Sequence, residues 1–574
     1  MRRRSGCHGS PDPSIHGIAP IACCLLSTGW FIGGMPDDDT CWMDVALAEA
    51  AKGLGLTAPN PPVGAVVVRD GVELGRGWHH RAGLPHAERE ALADAAARHG
   101  RDALRGATLY VTLEPCSTSG RTPPCTEAIV SAGLARVVYG ATDPNPAHAG
   151  GAAPLLQAAG IEVAAGCREG DCRRLLRGFA QAVVSHRPWV IAKTAQSLDG
   201  RITRPPGEGQ WLSSDASRAD VQVLRSTVDA ILTGGETVRR DDPSLTLRIP
   251  HPHGDKDPLR RIVVTASGNL PPAAMVFTDE HAARTLVARI GPGGRPPGLP
   301  DAVGFLAVPG WPELMAHLVG LGVHRLLVEA GGRLLRSLQD ARLVDEWTSY
   351  LCPVLVGGGP AALGGPDSPL PRHSVRLAEV DCTPVGTDLR VRGVVCRPAV
   401  FFDRDGVVND PGDHYYVTRW DDFHFQPGIV EALHAARNAG YALVLVTSQR
   451  GIGKGLMTGA DLADIHGRMQ QALAAAGCAF DALYAYTGQA PDGPGAKPDP
   501  HFVLRAAADL GLDLHASWVV GDSDRDIEMG RRAGLRTLRI THGKPCGVAA
   551  DVTLPDVAGL AEALRERLPG TCPA

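Results

Sequence analysis

The sequence predicts an α/β protein of three domains, and three observations lead there. A chain of 574 residues, at about 150 residues per domain, has room for three or four separate cores. Short apolar runs alternate with helical patterns along nearly the whole length, the arrangement of sheets covered on both faces. The composition is globular, with 44% hydrophobic and 21% charged residues, which excludes a fibre and wholesale disorder.

The first domain is expected over 40–172. CWMDVALAEAAKG opens it as a helix, with Met43, Ala46, Leu47 and Ala50 on one face. VGAVVVRDG is a strand ending in an Asp70-Gly71 turn. A helix around 86–97, the strand ATLYVTL, a helix near Pro124, the strand ARVVYGA and the pair LLQAAG, IEVAAG complete the alternation. After Cys172, RRLLRGFAQAVVSHR reads as a connecting helix. The second domain, 186–395, has strands in PWVIAKTA, AILTG, RIVVTA, VGFLAVP and HRLLVEAGG, and a helix in DASRADVQVLRSTV. Its stretch GPGGRPPGLP reads as a surface loop. The third, 399–569, starts with the strand of VFFDRDG and continues through YALVLVTSQ and SWVVGDSD. No internal repeat is visible.

The net charge of −5 gives no reason to expect nucleic acid. Fourteen cysteines, irregularly spaced, fit a reducing, cytoplasmic setting better than a disulfide scaffold. The apolar stretch from Ile18 to Gly34 follows Arg2, Arg3 and Arg4 but is interrupted by Pro20, Ser27, Thr28 and Gly29. Residues 1–39 therefore read as a disordered leader, or as sequence upstream of a start at Met35, and no membrane span is expected. Only 6 lysines accompany 51 arginines, which makes each lysine worth locating.

PHAERE places His86 and Glu88 at a helix start, and LEPCSTSGRTPPC supplies Cys116 and Cys125. Singly these are a helix-start residue, a first-turn carboxylate and small buried hydrophobes. Jointly, one imidazole and two thiolates make a zinc site with an open fourth position, where hydroxide becomes available near neutral pH. Glu88 is then the proton shuttle of a deaminase. Eight residues separate the cysteines, unlike the Pro-Cys-x-x-Cys of polynucleotide and cytidine deaminases. TAPNPPVGAVVVRDG, HHRAGLPHAERE, TLEPCSTSGRTPPC and ATDPNP resemble the pyrimidine deaminase domain of the RibD family of bifunctional riboflavin biosynthesis proteins. The resemblance implies a cytidine-deaminase-like three-layer α/β/α fold and a substrate-ring contact at Asn60. Thr118 stands where the family usually has His, and Pro62 where it has a second Asn.

The second domain has no Gly-x-Gly-x-x-Gly in a strand-turn-helix context. Gly331 and Gly332, between a strand and a helix, suit either a phosphate at a helix N-terminus or a tight turn. Arg225 and Arg248 suit an anionic ligand or open solvent. The motifs AKTAQSLDGRI, GEGQWLSS, TGGETVRRDDPSLTLR and LVEAGGRLLRSL are similar to the reductase domain of the same family. That implies a dihydrofolate-reductase-like α/β fold using NADPH, and a homodimer or higher homo-oligomer formed through this domain. It implies nucleotide contacts at Ala195, Trp211, Thr237, Asp241, Gly331 and Gly332, and ribosyl phosphate contacts at Arg225, Leu245, Arg248 and Glu329. Lys193 and Asp199 match motif positions, and Gly209 replaces a frequent Ser.

In the third domain Asp403 and Asp405 follow a strand, so their side chains share a face unless the turn redirects the second. Asp403 can attack phosphorus while Asp405 acts as acid and then base. Ser448 can bond a phosphoryl oxygen and Lys497 can neutralise charge. Asp522 can hold Mg²⁺ with Asp403 and the Asp405 carbonyl, with Asp526 tuning the site. The set resembles the Rossmann-like haloacid dehalogenase superfamily of phosphatases, and FFDRDGVVND with FQPG resembles its histidinol-phosphate and heptose-bisphosphate branch. YAYTGQAPDGPGAKPDP lacks the Cys and His of that branch's zinc loop.

Together the resemblances imply deamination of 2,5-diamino-6-ribosylamino-4(3H)-pyrimidinone 5′-phosphate, then NADPH-dependent reduction of its ribosyl group. A phosphatase follows, acting on 5-amino-6-ribitylamino-uracil 5′-phosphate or on an unrelated sugar or histidinol phosphate. Zn²⁺, NADPH and Mg²⁺ are the expected cofactors, and small phosphorylated pyrimidines the expected partners.

Overall fold

The computed structural model describes residues 38–118, 123–145, 148–205, 207–208, 211–365, 374–410, 412, 416–490 and 492–568. Residues 1–37 of the expected leader, and Gly209, lie outside these. The chain forms two compact units, the first ending at Arg177 and the second starting at Gly178. Among the described residues no helix is long and apolar enough to cross a membrane.

The first unit is built on five strands in the order Val72–Trp78, Gly64–Arg69, Thr108–Leu113, Arg136–Ala141, Glu162–Ala165. The first three pair antiparallel and the last three parallel. The Asp70-Gly71 turn closes a hairpin, whose second strand the alternating pattern did not single out. The helix Ala87–His99 lies directly on that second strand, where a Cβ on Gly77 would stand 2.5 Å from the Ala91 nitrogen. Glycine there lets the helix sit close, which seats His86 and Glu88 at the sheet. The opening helix runs Asp38–Ala51, starting three residues before the expected Cys41. Asp39 belongs to this domain and not to a leader: Arg136 donates to it at 2.7 and 2.8 Å, and the Tyr110 hydroxyl at 2.7 Å.

The second unit contains two sheets. One has nine strands, in the order Gly304–Val308, Thr285–Ile290, Arg260–Thr265, Ala230–Gly234, Arg325–Glu329, Trp189–Ser197, Glu346–Cys352, Asp388–Val395, Leu377–Val385. Pairing is parallel through Glu346–Cys352, and the final two strands add antiparallel. The GPGGRPPGLP stretch is the expected loop between two of its strands. The other sheet has six parallel strands, Ala482–Tyr486, Ala442–Ser448, Ala399–Phe402, Trp518–Gly521, Arg536–Ile540, Val552–Leu554. Buried Val400, Phe402, Leu443 and Leu445 pack on one of its faces, and Ala399, Phe401, Val444 and Val446 on the other.

Asp345 ties the start and the end of the nine-stranded sheet together. Its side chain is 1% exposed, accepts two bonds from Arg187 at 2.7 Å and one from Arg397 at 2.5 Å, and also takes the Val190 amide at 2.9 Å. Burial works against its charge, and the two guanidiniums hold its carboxyl below the usual range. Asp345→Ala leaves two arginines facing a dry site, so the protein should lose about 3–5 kcal/mol of stability. A fall of several degrees in the melting temperature by calorimetry is the expected result; an unchanged melting curve would show that water solvates the pair.

Candidate active sites

In the first unit the helix that begins after His86 and the helix Cys125–Ala132 converge on one point. His86 Nδ1 lies 3.5 Å from Cys116 Sγ and 3.4 Å from Cys125 Sγ. A tetrahedral zinc ion, with Zn–S about 2.3 Å and Zn–N about 2.0–2.1 Å, sets nitrogen and sulfur about 3.5 Å apart. The donor set therefore fits zinc without rearrangement. The Cys125 amide, at the first turn of its helix, donates to Cys116 Sγ at 3.2 Å. That bond, the neighbouring Cys125 thiol and His86 favour the Cys116 thiolate, while burial and Cys116 itself hold the Cys125 thiol up. Glu88 is 3% exposed, and burial, reinforced by Cys116, raises its carboxyl above the usual carboxylate range.

Two residues that the motifs did not single out complete this site. His79, 2% exposed, donates from Nδ1 to the Pro85 carbonyl at 2.9 Å, so its Nε2 accepts from Asn60 Nδ2 at 3.0 Å. Burial keeps His79 neutral, and its acceptance of the amide N–H orients the Asn60 oxygen. Glu114 accepts from the amides of Asp143, Gly150 and Ala152, fastening that loop beside Cys116. Thr118, at the position where the family's His is missing, bonds the ring of His148 at 3.0 Å.

In the nine-stranded sheet, Arg225 and Glu329 are brought together as a two-bond pair at 2.8 and 3.1 Å, and Arg225 also donates to the Thr246 carbonyl at 2.7 Å. Arg225 is thus buried, not a solvated surface residue, whereas Arg248 is exposed and held through its amide by Gln222 at 2.8 Å. Lys193 stands on the strand next to Glu329; burial lowers its pKa against the pull of Glu329. Leu245 is 3% exposed, so its side chain lies in the core and its backbone is what a ligand could meet. Ala195 lies on the Trp189–Ser197 strand. Thr237 and Asp241 lie on the helix Gly235–Asp241. Trp211 is 55% exposed, with the Arg218 guanidinium 5.7 Å from its ring centre. Gly331 caps the helix Gly332–Asp340 and borders open space, while a Cβ on Gly332 would stand 2.3 Å from the Ala361 carbonyl. Close packing accounts for the second glycine; the first keeps the helix N-terminus clear. Asp199 serves the turn: it accepts from Ser197 and from the amides of Val356 and Gly357.

In the six-stranded sheet Asp403 and Asp522 follow the ends of adjacent strands, and Ser448 ends the strand on the other side of Ala399–Phe402. Carboxylate oxygens of Asp403, Asp522 and Asp526 lie within 4.8 Å of one another. Lys497 sits between Asp403 and Asp526, 2.6 Å from each. Burial raises the Asp403 carboxyl above the usual range, with Asp526 and Asp522 adding to the effect and Lys497 opposing it. One ammonium among three clustered carboxylates, of which Asp526 is buried and Asp403 and Asp522 half-buried, leaves negative charge that a hard divalent cation would neutralise. The side chain of Asp526 is part of the cluster and is paired with Lys497. The turn does redirect Asp405: its carboxylate takes bonds from Arg404 at 2.8–3.1 Å and from Gln449 at 2.8 Å. Gly406, at φ 84°, makes this turn possible, and a Cβ there would stand 2.5 Å from Asp522.

These arrangements define a class: a zinc-type deaminase centre, a reductase-like α/β domain and an aspartate-based phosphatase centre in one chain. Residues 36–141 match the cytidine and deoxycytidylate deaminase zinc-binding region, 188–391 the RibD C-terminal domain, and 495–558 the HAD-hydrolase-like family. The chain is 39% identical over 334 residues to the riboflavin biosynthesis protein RibD of Escherichia coli, covering 56% of this chain and 89% of that protein. It is similar to the solved diaminohydroxyphosphoribosylaminopyrimidine deaminase/5-amino-6-(5-phosphoribosylamino)uracil reductase of Thermotoga maritima, at 33% identity and a TM-score of 0.55, covering 62% of this chain and 99% of that one. A D,D-heptose 1,7-bisphosphate phosphatase from B. bronchiseptica is 30% identical, covering 29% of this chain and 98% of that one, with a TM-score of 0.28. The chain belongs to the RibD family and carries in addition a phosphatase domain of the HAD superfamily.

Cys125→Ser should remove most of the bound zinc, measured by atomic absorption against one ion per chain in the parent. Glu88→Gln should keep the zinc and lose about 10²–10⁴-fold in deamination. Loss of zinc from the Glu88 variant would make that residue a ligand instead.

Proposed function

We propose that the first two domains catalyse consecutive steps of riboflavin biosynthesis on 2,5-diamino-6-ribosylamino-4(3H)-pyrimidinone 5′-phosphate. The observation that carries this reading is the His86, Cys116, Cys125 set with Glu88 buried beside it. Asn60, oriented by His79, binds the pyrimidine edge. Zinc held by the three ligands supplies Lewis acidity towards water. Glu88 passes a proton from that water to the ring nitrogen and then to the departing ammonia, leaving a carbonyl where the amino group was.

The deaminated product is then reduced at C1′ of its opened ribosylamino group. NADPH supplies the hydride, and Ala195, Trp211, Thr237, Asp241, Gly331 and Gly332 are the residues assigned to hold it. Arg225, Arg248, Glu329 and the Leu245 backbone bind the ribosyl phosphate. Anchoring the 5′-phosphate far from C1′ uses binding energy to align the carbon with its hydride donor. Lys193 sits between Glu329 and Tyr350, facing the same group of charges.

For the third domain we infer phosphomonoester hydrolysis. Asp403, Asp522 and the Asp405 carbonyl, with Asp526 beside them, would hold Mg²⁺, which would supply positive charge against the carboxylates and the phosphate. Asp403 attacks phosphorus, Asp405 protonates the leaving alcohol and then deprotonates water, and Ser448 and Lys497 bind the phosphoryl oxygens. The FFDRDGVVND and FQPG motifs favour a sugar or histidinol phosphate as substrate. A second reading, removal of phosphate from 5-amino-6-ribitylamino-uracil 5′-phosphate, is favoured by the fusion to the two enzymes that would make it and by the absent Cys/His loop.

The deciding experiment feeds full-length protein the deaminase substrate, NADPH and Mg²⁺, with Asp403→Asn as control and a sugar bisphosphate in parallel. Phosphate release by the parent, with accumulation of the reduced phosphate ester in the variant, supports the riboflavin reading. Completed reduction without release, beside rapid hydrolysis of the sugar phosphate, supports the other. Failure to deaminate or reduce would sink the proposal for the first two domains.

A further inference from the structure

Leu245 has a backbone φ of +52°, a conformation that a branched side chain adopts only when its surroundings impose it. The segment Ser244 to Arg248 also carries the proposed substrate contact Arg248, so what imposes this conformation shapes the reductase site. Three attachments do so. Arg225 donates to the Thr246 carbonyl at 2.7 Å, Gln222 accepts the Arg248 amide at 2.8 Å, and Arg261 donates to the Ser244 carbonyl at 3.0 Å.

Arg261 is the least expected of the three. It lies on the strand Arg260–Thr265, is fully buried, and is flanked by the core residues Ile262 and Val263. Every N–H of its guanidinium is used. Nε donates to Thr285 Oγ1 at 2.9 Å; Nη1 to Asp279 at 2.5 Å and to Ser244; Nη2 to Asp279 at 2.7 Å and to the Val276 carbonyl at 2.9 Å. A buried ion pair such as Arg261 with Asp279 contributes little stability over apolar residues of the same size. What it does supply is direction: four of the five bonds fix the guanidinium, and the fifth reaches the residue before Leu245.

The Leu245 side chain is packed in the core, but open space borders the rest of the segment. A cavity of about 260 Å³, lined by Thr246, Leu247, Ile249, Pro250 and Lys256 among others, borders it. A strained segment beside a void relaxes into it once released.

We propose that Arg261 is a positioning residue of the reductase site: through Ser244 it holds Leu245 in its left-handed conformation and so sets where the Leu245 backbone and Arg248 stand against the ribosyl phosphate. The inference rests on the reductase assignment above. Arg261 touches no substrate, and its effect runs entirely through the segment it restrains.

The test uses the full-length protein in two variants. Arg261→Lys keeps a charge opposite Asp279 but cannot reach Asp279 and Ser244 together; the double variant R261M/D279N removes the pair without leaving a lone buried charge. In both, the KM for the deaminated ribosylamino substrate should rise about tenfold, the scale of releasing a strained residue. The KM for NADPH and kcat at saturating substrate should stay within about twofold, and the amides of Leu245 to Leu247 should exchange with solvent faster. A folded Arg261→Lys with parental substrate KM and unchanged exchange would overturn the proposal. So would a parallel change in both KM values and kcat, which would mean a general loss of structure. If the parent itself reduced nothing, the reductase assignment would fall instead, and exchange at Leu245 to Leu247 would still report whether Arg261 holds the segment.

Discussion

A parallel strand buried on both faces accepts an ionised group along its length only where that group is fully partnered, as Arg261 is, so most of the charged groups stand where strands end. That constraint places the chemistry of this protein. Glu114 and Cys116 follow the strand Thr108–Leu113, Glu329 ends Arg325–Glu329, Asp403 follows Ala399–Phe402, and Asp522 follows Trp518–Gly521. Each of these strands has a parallel neighbour, so side chains distant in sequence arrive at one edge together.

Once gathered at these edges the charges need partners, and each centre meets that need differently. In the deaminase centre two thiols and an imidazole face one another, and the helix that starts at Cys125 contributes an amide to Cys116. In the reductase domain Arg225 and Glu329 neutralise each other. In the phosphatase centre Lys497 serves two of three carboxylates and leaves the remainder to a cation. Two of the chain's 6 lysines, Lys193 and Lys497, stand at these centres.

The groups legible in the sequence were those whose chemistry is local. His86 and Glu88 are two apart, Cys116 sits in a motif with Cys125, and Asp403, Lys497 and Asp522 each sit in a short, distinctive run. Their supporting residues were not legible. His79 orients Asn60 from 19 residues away, and Gln449 holds Asp405 from 44 away. The hairpin strand Val72–Trp78 was also missed, because Gly75 and Gly77 weaken its pattern for the same reason that they admit the helix.

Sequence alone determined the three domains, their order and the residue types at each centre, because hydrophobic periodicity and short motifs are properties of neighbouring positions. Only the tertiary structure decided which way Asp405 turns, that Asp39 belongs to the first domain, that Arg225 is paired and buried, and that Arg261 reaches the Leu245 segment. Those outcomes depend on strand order and on which buried donor finds which acceptor, and pairing of that kind is settled when separate segments are packed against one another.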